Sequence, residues 1–227
     1  MQQTGSPFLM AIIGGLILLN WIGAACKNWK LYFVTKPLVL AGLISYFLLN
    51  GGLRSENLFF SAGLVLSLLG DIFLIPQSFR WFIAGLVSFF FAHVMYLVGF
   101  NRYTAPLLPT IICSSLAVAL IAYLVRFILK QTRGKPELNS MRKLYIPYSI
   151  VLVLMTASAI LCLFRPAWSK PAALLVSLGG LSFLASDILH ACDRLGKRIP
   201  QAKLIIIVTY HLAQILFISG TLLNSNT

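Results

Sequence analysis

Long apolar runs, separated by short breaks carrying charge or Pro, Gly and Asn, dominate this chain; they cover residues 7–25, 37–49, 58–75, 81–100, 105–129, 144–164, 171–190 and 204–223. A helix needs roughly 20 apolar residues to cross the hydrocarbon layer, whereas an outer-membrane barrel shows alternating segments of about ten. The pattern therefore predicts an all-α integral membrane protein with eight transmembrane helices. The second run is short, and it reaches across the bilayer if it begins near Leu31 and tolerates Lys36 and Pro37 inside the membrane, with the Lys stem extending to the headgroups.

Composition strengthens this reading and excludes a water-soluble domain: 59% of the 227 residues are hydrophobic, 10% are charged and the mean hydropathy is +0.90. A soluble domain carries charge on about a quarter of its residues. Met1 to Ser6 contain no Lys or Arg ahead of the first run, so that run reads as a retained helix and not as a secretory leader. Cys26, Cys113, Cys162 and Cys192 form no Cys-x-x-Cys pair, and buried or lipid-facing thiols are expected.

The net charge of +13 reads as a topology signal. With eight spans, connections 1–2, 3–4, 5–6 and 7–8 with their flanks hold 14 of the 18 Lys and Arg residues, Lys197 and Arg198 among them; the other side has Arg54, Arg102, Arg165 and Lys170. The positive-inside rule makes the first set cytoplasmic and puts both termini on the non-cytoplasmic side. The excess also attracts anionic lipid headgroups. No nucleic acid is expected as a partner, because no soluble basic module exists to enter a groove. A bacterial inner membrane suits so small a chain without soluble domains.

An internal echo divides the chain into two four-helix halves, 1–103 and 104–227, of one membrane domain. Gly63 precedes Asp71 in the third run as Gly179 precedes Asp187 in the seventh, each Asp following a small residue and followed by Ile; His93-Val-Met-Tyr96 in the fourth run is echoed by His211-Leu-Ala-Gln214 in the eighth. A repeat unit of four spans keeps one orientation, which predicts a parallel pseudo-repeat around one polar cavity.

Of five carboxylates, Glu56 and Glu137 fall in loops, Asp193 just past a helix end, and Asp71 and Asp187 inside apolar runs. An Asp at a helix centre costs about 3 kcal/mol on insertion scales and tends to mark a site facing a wet cavity. Both stand near the C-terminal ends of their runs, roughly 5 Å from the cytoplasmic edge at about 1.5 Å per residue. A carboxylate pair is expected from their similar depth. Two such groups in a poorly solvated pocket hold one proton between them, which suits acid/base hydrolysis of an acid-labile C–O bond through an oxocarbenium-like state. It equally suits proton-coupled transport.

His93 and Tyr96 share one helix face, as do Tyr210 and Gln214 on another, and with His211 they form a polar stripe that could orient a headgroup or a water. His190, three residues after Asp187, suggests a metal cluster, but no zinc signature accompanies it and no metal is assigned. Ser67, Ser182 and Ser186 lack a Gly-x-Ser-x-Gly elbow and read as close-packing residues.

Taken together, Lys36-Pro37, Gly63…Ser67-Leu-Leu-Gly-Asp71, Gly85-Leu-Val-Ser-Phe…His93-Val-Met-Tyr96, Tyr148…Met155, Ser182-Phe-Leu-Ala-Ser-Asp187 and Tyr210-His-Leu-Ala-Gln214 resemble the YhhN family, the transmembrane lysoplasmalogenases. The resemblance runs over nearly the whole chain. It implies an eight-span hydrolase without a cofactor that cleaves the vinyl ether bond of lysoplasmalogens, releasing a fatty aldehyde and glycerophosphoethanolamine or glycerophosphocholine. On that reading Asp71 and Asp187 are catalytic, Lys36 holds the phosphate, His93 and Tyr96 place a proton or water, and Tyr210 and Gln214, ahead of His211, position the glycerol oxygens. Lysophospholipid and membrane lipids are then the expected partners. A proton-coupled transporter and a metal-dependent lipid hydrolase stand as the competing readings.

Overall fold

The computed structural model describes residues 7–76, 78–195 and 199–226; Met1 to Ser6, Lys197 and Arg198 lie outside them. The chain is all-α. The eight α-helices among the described residues are α1 (Pro7–Ala25), α2 (Trp29–Phe47), α3 (Leu58–Phe73), α4 (Phe79–Phe100), α5 (Leu107–Thr132), α6 (Asn139–Leu161), α7 (Lys170–Arg194) and α8 (Ala202–Ser225). Among the described residues seven helices are long and apolar enough to cross a membrane. The eighth, α3, has 16 residues, about 24 Å of rise against a hydrocarbon layer of about 30 Å.

The short element is thus α3 and not the second span. Asn28 accepts a hydrogen bond from the Leu31 amide at 3.2 Å and caps α2, so the helix starts a full two turns before Pro37. Proline inside a helix forfeits the hydrogen bond to the carbonyl four residues back, and α2 runs on through it as α6 runs through Pro147. With a π-helical turn at Leu48–Gly52 the second span comprises Trp29–Gly52.

Sequential helices pack as neighbours, α1 on α2, α3 on α4, α5 on α6 and α7 on α8, while α4 against α6 and α8 against α1 and α2 join the first four helices to the last four. Buried Asn20 ties α1 to α2 by donating to the Tyr32 carbonyl and the Thr35 hydroxyl, both at 2.8 Å. Helix α5 lies at the periphery on α6, and its Leu107, Leu108, Leu116, Val118 and Tyr123 are exposed, as expected of a surface facing acyl chains.

Small residues set how closely α3 meets α4 and α7 meets α8. A methyl on Gly63 would stand 2.5 Å from the Tyr96 ring, and one on Gly179 2.6 Å from the Phe217 ring. In the same two pairs Gly99 faces Phe60 and Gly220 faces Val176. Tyr96 of α4 thus packs on a glycine of α3, and Phe217 of α8 on a glycine of α7.

All four basic residues on the sparsely charged side bond to backbone carbonyls. Arg54 donates to Ser225 O at 2.8 Å, Arg102 to Ser55 O at 2.6 Å and Lys170 to Leu163 O at 2.8 Å. Arg165, buried, donates to Tyr103 O and Ser158 O, both at 2.9 Å, and to Asn101 Oδ1 at 2.6 Å. Carbonyls in turns and at helix ends need such donors, so these cations are structural fasteners.

Candidate active site

Lys36 lies seven residues inside α2 and Asp187 seven residues before the end of α7, about 10 Å in from those helix ends at 1.5 Å per residue. Asp71 stands two residues before the end of α3, and its carboxylate meets α2 at Lys36. A cavity of about 410 Å³ reaches them, lined by Lys36, Asp71, Tyr148, Asp187, His190 and Tyr210 among others. Phe82, Leu86, Phe89, Ile206 and Ile207 supply its apolar wall.

On one side of this cavity Asp71 Oδ1 pairs with Lys36 Nζ at 2.8 Å, and Tyr210 donates its phenol to Oδ2 at 3.0 Å. The Lys36 ammonium also sits 5.6 Å from the Tyr210 ring centre. Asp71 is fully buried. Removing two charges from water costs several kcal/mol per ion unless they meet in good geometry, and here the cation that offsets the carboxylate comes from the middle of the neighbouring helix. The Lys36 ammonium is committed to Asp71.

On the other side Tyr148 donates to Asp187 Oδ2 at 2.6 Å, and His93 Nε2 stands 3.0 Å from both Asp187 Oδ2 and the Tyr148 oxygen. With its proton on Nε2, His93 donates to the carboxylate. The edge of the Phe183 ring packs against the imidazole, their centres 4.6 Å apart. The two carboxylates share the cavity, but each is engaged by its own partners instead of by the other. Asp71 on α3 takes Lys36 from α2 and Tyr210 from α8, and Asp187 on α7 takes Tyr148 from α6 and His93 from α4.

Tyr96 and Gln214, expected to meet substrate, are joined to each other: the phenol donates to Gln214 Oε1 at 2.9 Å. Both are fully buried and neither lines the cavity. They form a strut between α4 and α8 behind it. His211 turns towards α1, accepting from Trp21 Nε1 at 3.2 Å, and His190 stacks on Phe82 with ring centres 6.2 Å apart. Ser67 and Ser186 donate to Gly63 O and Ile206 O, which agrees with a packing role for both.

The model of the YhhN family matches residues 31–221, a stretch that contains every residue of this site. The chain belongs to the YhhN family. Similar proteins include lysoplasmalogenase TMEM86B of Mus musculus, 28% identical over 224 residues that cover 96% of this chain and 86% of the mouse protein. Lysoplasmalogenase TMEM86A of Bos taurus is 27% identical over 200 residues, covering 87% of this chain and 77% of the bovine protein. No solved structure matches.

In this YhhN protein the residue at the carboxylates that sequence reasoning quoted in the family pattern but gave no role is Tyr148. Its phenol is chemically inconspicuous in an apolar helix. One signal was available, since Lys36 and Tyr148 each stand next to an interior proline, Pro37 and Pro147, in the second helix of their halves.

Proposed function

We propose that this chain is a lysoplasmalogenase that hydrolyses the vinyl ether bond of a lysophospholipid entering the cavity from the side of the basic connections, which we assign to the cytoplasm. The observation that carries the reading is the unequal surroundings of the two carboxyl groups: a cation and a phenol at Asp71, a phenol and an imidazole at Asp187.

Asp187 is the proton donor in this scheme. Protonation of the vinyl β-carbon gives an oxocarbenium ion, whose positive charge the low-dielectric site stabilises through the Asp187 carboxylate so formed and the fixed carboxylate of Asp71. Water adds to the cationic carbon as its proton returns to Asp187. The hemiacetal then collapses, the C–O bond to glycerol breaking as the aldehyde forms, and the hemiacetal proton ends on the glycerol oxygen. Net, one water is consumed. Lys36 is assigned to holding Asp71 ionised, which replaces the phosphate-binding role that its position in the sequence suggested. Tyr96 and Gln214 act by fixing α4 against α8.

Two related four-helix halves are part of the same proposal. The crossed partnership of the carboxylates, the glycine-lined crossings and the paired prolines of α2 and α6 support it.

Turnover in D2O tests the chemistry. Rate-limiting carbon protonation leaves one deuterium on the carbon next to the aldehyde and slows turnover; aldehyde with no deuterium at that carbon overturns the scheme. The two carboxylates in one cavity also favour a second reading, a proton-coupled transporter. Accumulation of lysolipid in proteoliposomes driven by a pH gradient, without conversion, would decide for it.

A further inference from the structure

The mouth of the cavity carries charges that the hydrolysis scheme leaves unused. Asp193 and Arg194 end α7, Lys203 begins α8, and all three line the cavity that Asp71 and Asp187 share. Both cations are held over aromatic rings, the Arg194 guanidinium 4.8 Å from the centre of Phe82 and the Lys203 ammonium 4.0 Å from that of Trp29. Such a contact orients a cation without neutralising it or using all its N–H donors. Among the described residues the ion pairs are Lys36–Asp71 and His93–Asp187, and neither mouth cation belongs to one.

Building on the lysolipid reading, we infer that Arg194 and Lys203 bind the phosphodiester of the headgroup while Asp193 accepts from its ammonium, so that ethanolamine is preferred to choline. The spacing suits the substrate. Arg194 lies two turns above Asp187, about 10 Å along α7, a rise most of which the glycerol backbone spans between its vinyl ether and its phosphate. Selectivity follows from the ammonium chemistry. A primary ammonium donates hydrogen bonds to a carboxylate, whereas a trimethylammonium has no N–H and depends on aromatic faces; Phe82 and Trp29 already carry protein cations.

Binding of saturated 1-O-alkyl analogues, which cannot be hydrolysed, tests this on the purified full chain in detergent. Arg194→Gln and Lys203→Gln should each weaken the lysophosphoethanolamine analogue about tenfold, as for loss of one charge-assisted contact, and leave 1-O-alkylglycerol unchanged. Asp193→Asn should weaken the ethanolamine analogue severalfold and spare the choline analogue. Equal loss of phosphorylated and phosphate-free ligands would make these side chains part of the fold and overturn the assignment, as would no loss at all. Displacement of the lipid analogue by inorganic phosphate as readily as by glycerophosphoethanolamine would overturn a lipid headgroup site in favour of a phosphate site. Aldehyde release is read separately. A chain that binds in this charge-dependent manner but releases no aldehyde keeps the headgroup site and loses the proposed function.

Discussion

The Tyr148 phenol donates to Asp187 Oδ2 at 2.6 Å while His93 Nε2 stands 3.0 Å from the same oxygen. A phenol and an imidazole thus converge on one carboxylate oxygen. Tyr148→Phe keeps the ring and removes that donor. It should lower kcat about ten- to hundredfold, the value of one hydrogen bond to a charged group, with KM nearly unchanged. Steady-state kinetics on lysoplasmalogen checks this; a rise in KM at constant kcat would place Tyr148 in substrate binding instead.

Lys36→Met strands Asp71 as a fully buried carboxylate without its cation. Breaking such a pair from one side costs about 3–5 kcal/mol, so the variant should unfold at a clearly lower temperature in detergent. Adding Asp71→Asn should recover much of that loss while leaving the protein inactive. A double-mutant cycle with no coupling would show that the 2.8 Å pair contributes nothing to stability.

Gly63→Ala drives a methyl to 2.5 Å from the Tyr96 ring, and overpacking of that kind costs about 1–3 kcal/mol. The displaced phenol also loses its bond to Gln214. Gly14→Ala is the control, because nothing lies within 4 Å of the added atom, and its thermal unfolding should match or exceed that of the unchanged protein.

Arg165→Met should destabilise without altering the chemistry. Its guanidinium serves Asn101 Oδ1, Tyr103 O and the buried Ser158 O, and a buried acceptor left unserved costs about 1–3 kcal/mol. Thermal unfolding should fall markedly while kcat of the folded fraction stays constant, since the site lies at the opposite end of the bundle.

Much of the fold was legible because a bilayer imposes a simple requirement on sequence. The first helix ends at Ala25, where its apolar run ends. The second run reads as short because Lys36 and Pro37 resemble a boundary, whereas Asn28, the actual cap, lies nine residues upstream of where the run begins, three before the alternative start near Leu31. Asp71 and Asp187 stood out because a carboxylate in an apolar run has no solvent to account for it. Tyr148 did not, since an aromatic ring belongs in such a run whether or not its hydroxyl has a task. Arg194 and Lys203 were absorbed into the charge bias of their connection.

From the sequence alone came a chain of apolar helices, their approximate number and two carboxylates that cannot face lipid, because these follow from the cost of placing polar groups in hydrocarbon. Only the tertiary structure decided that Lys36 serves Asp71, that His93 and Tyr148 serve Asp187, and that Tyr96 and Gln214 serve each other. Which donor meets which acceptor depends on the register of one helix against the next. That register is set by where a missing side chain, as at Gly63 and Gly179, lets two helices close, and a one-turn shift there exchanges every partner.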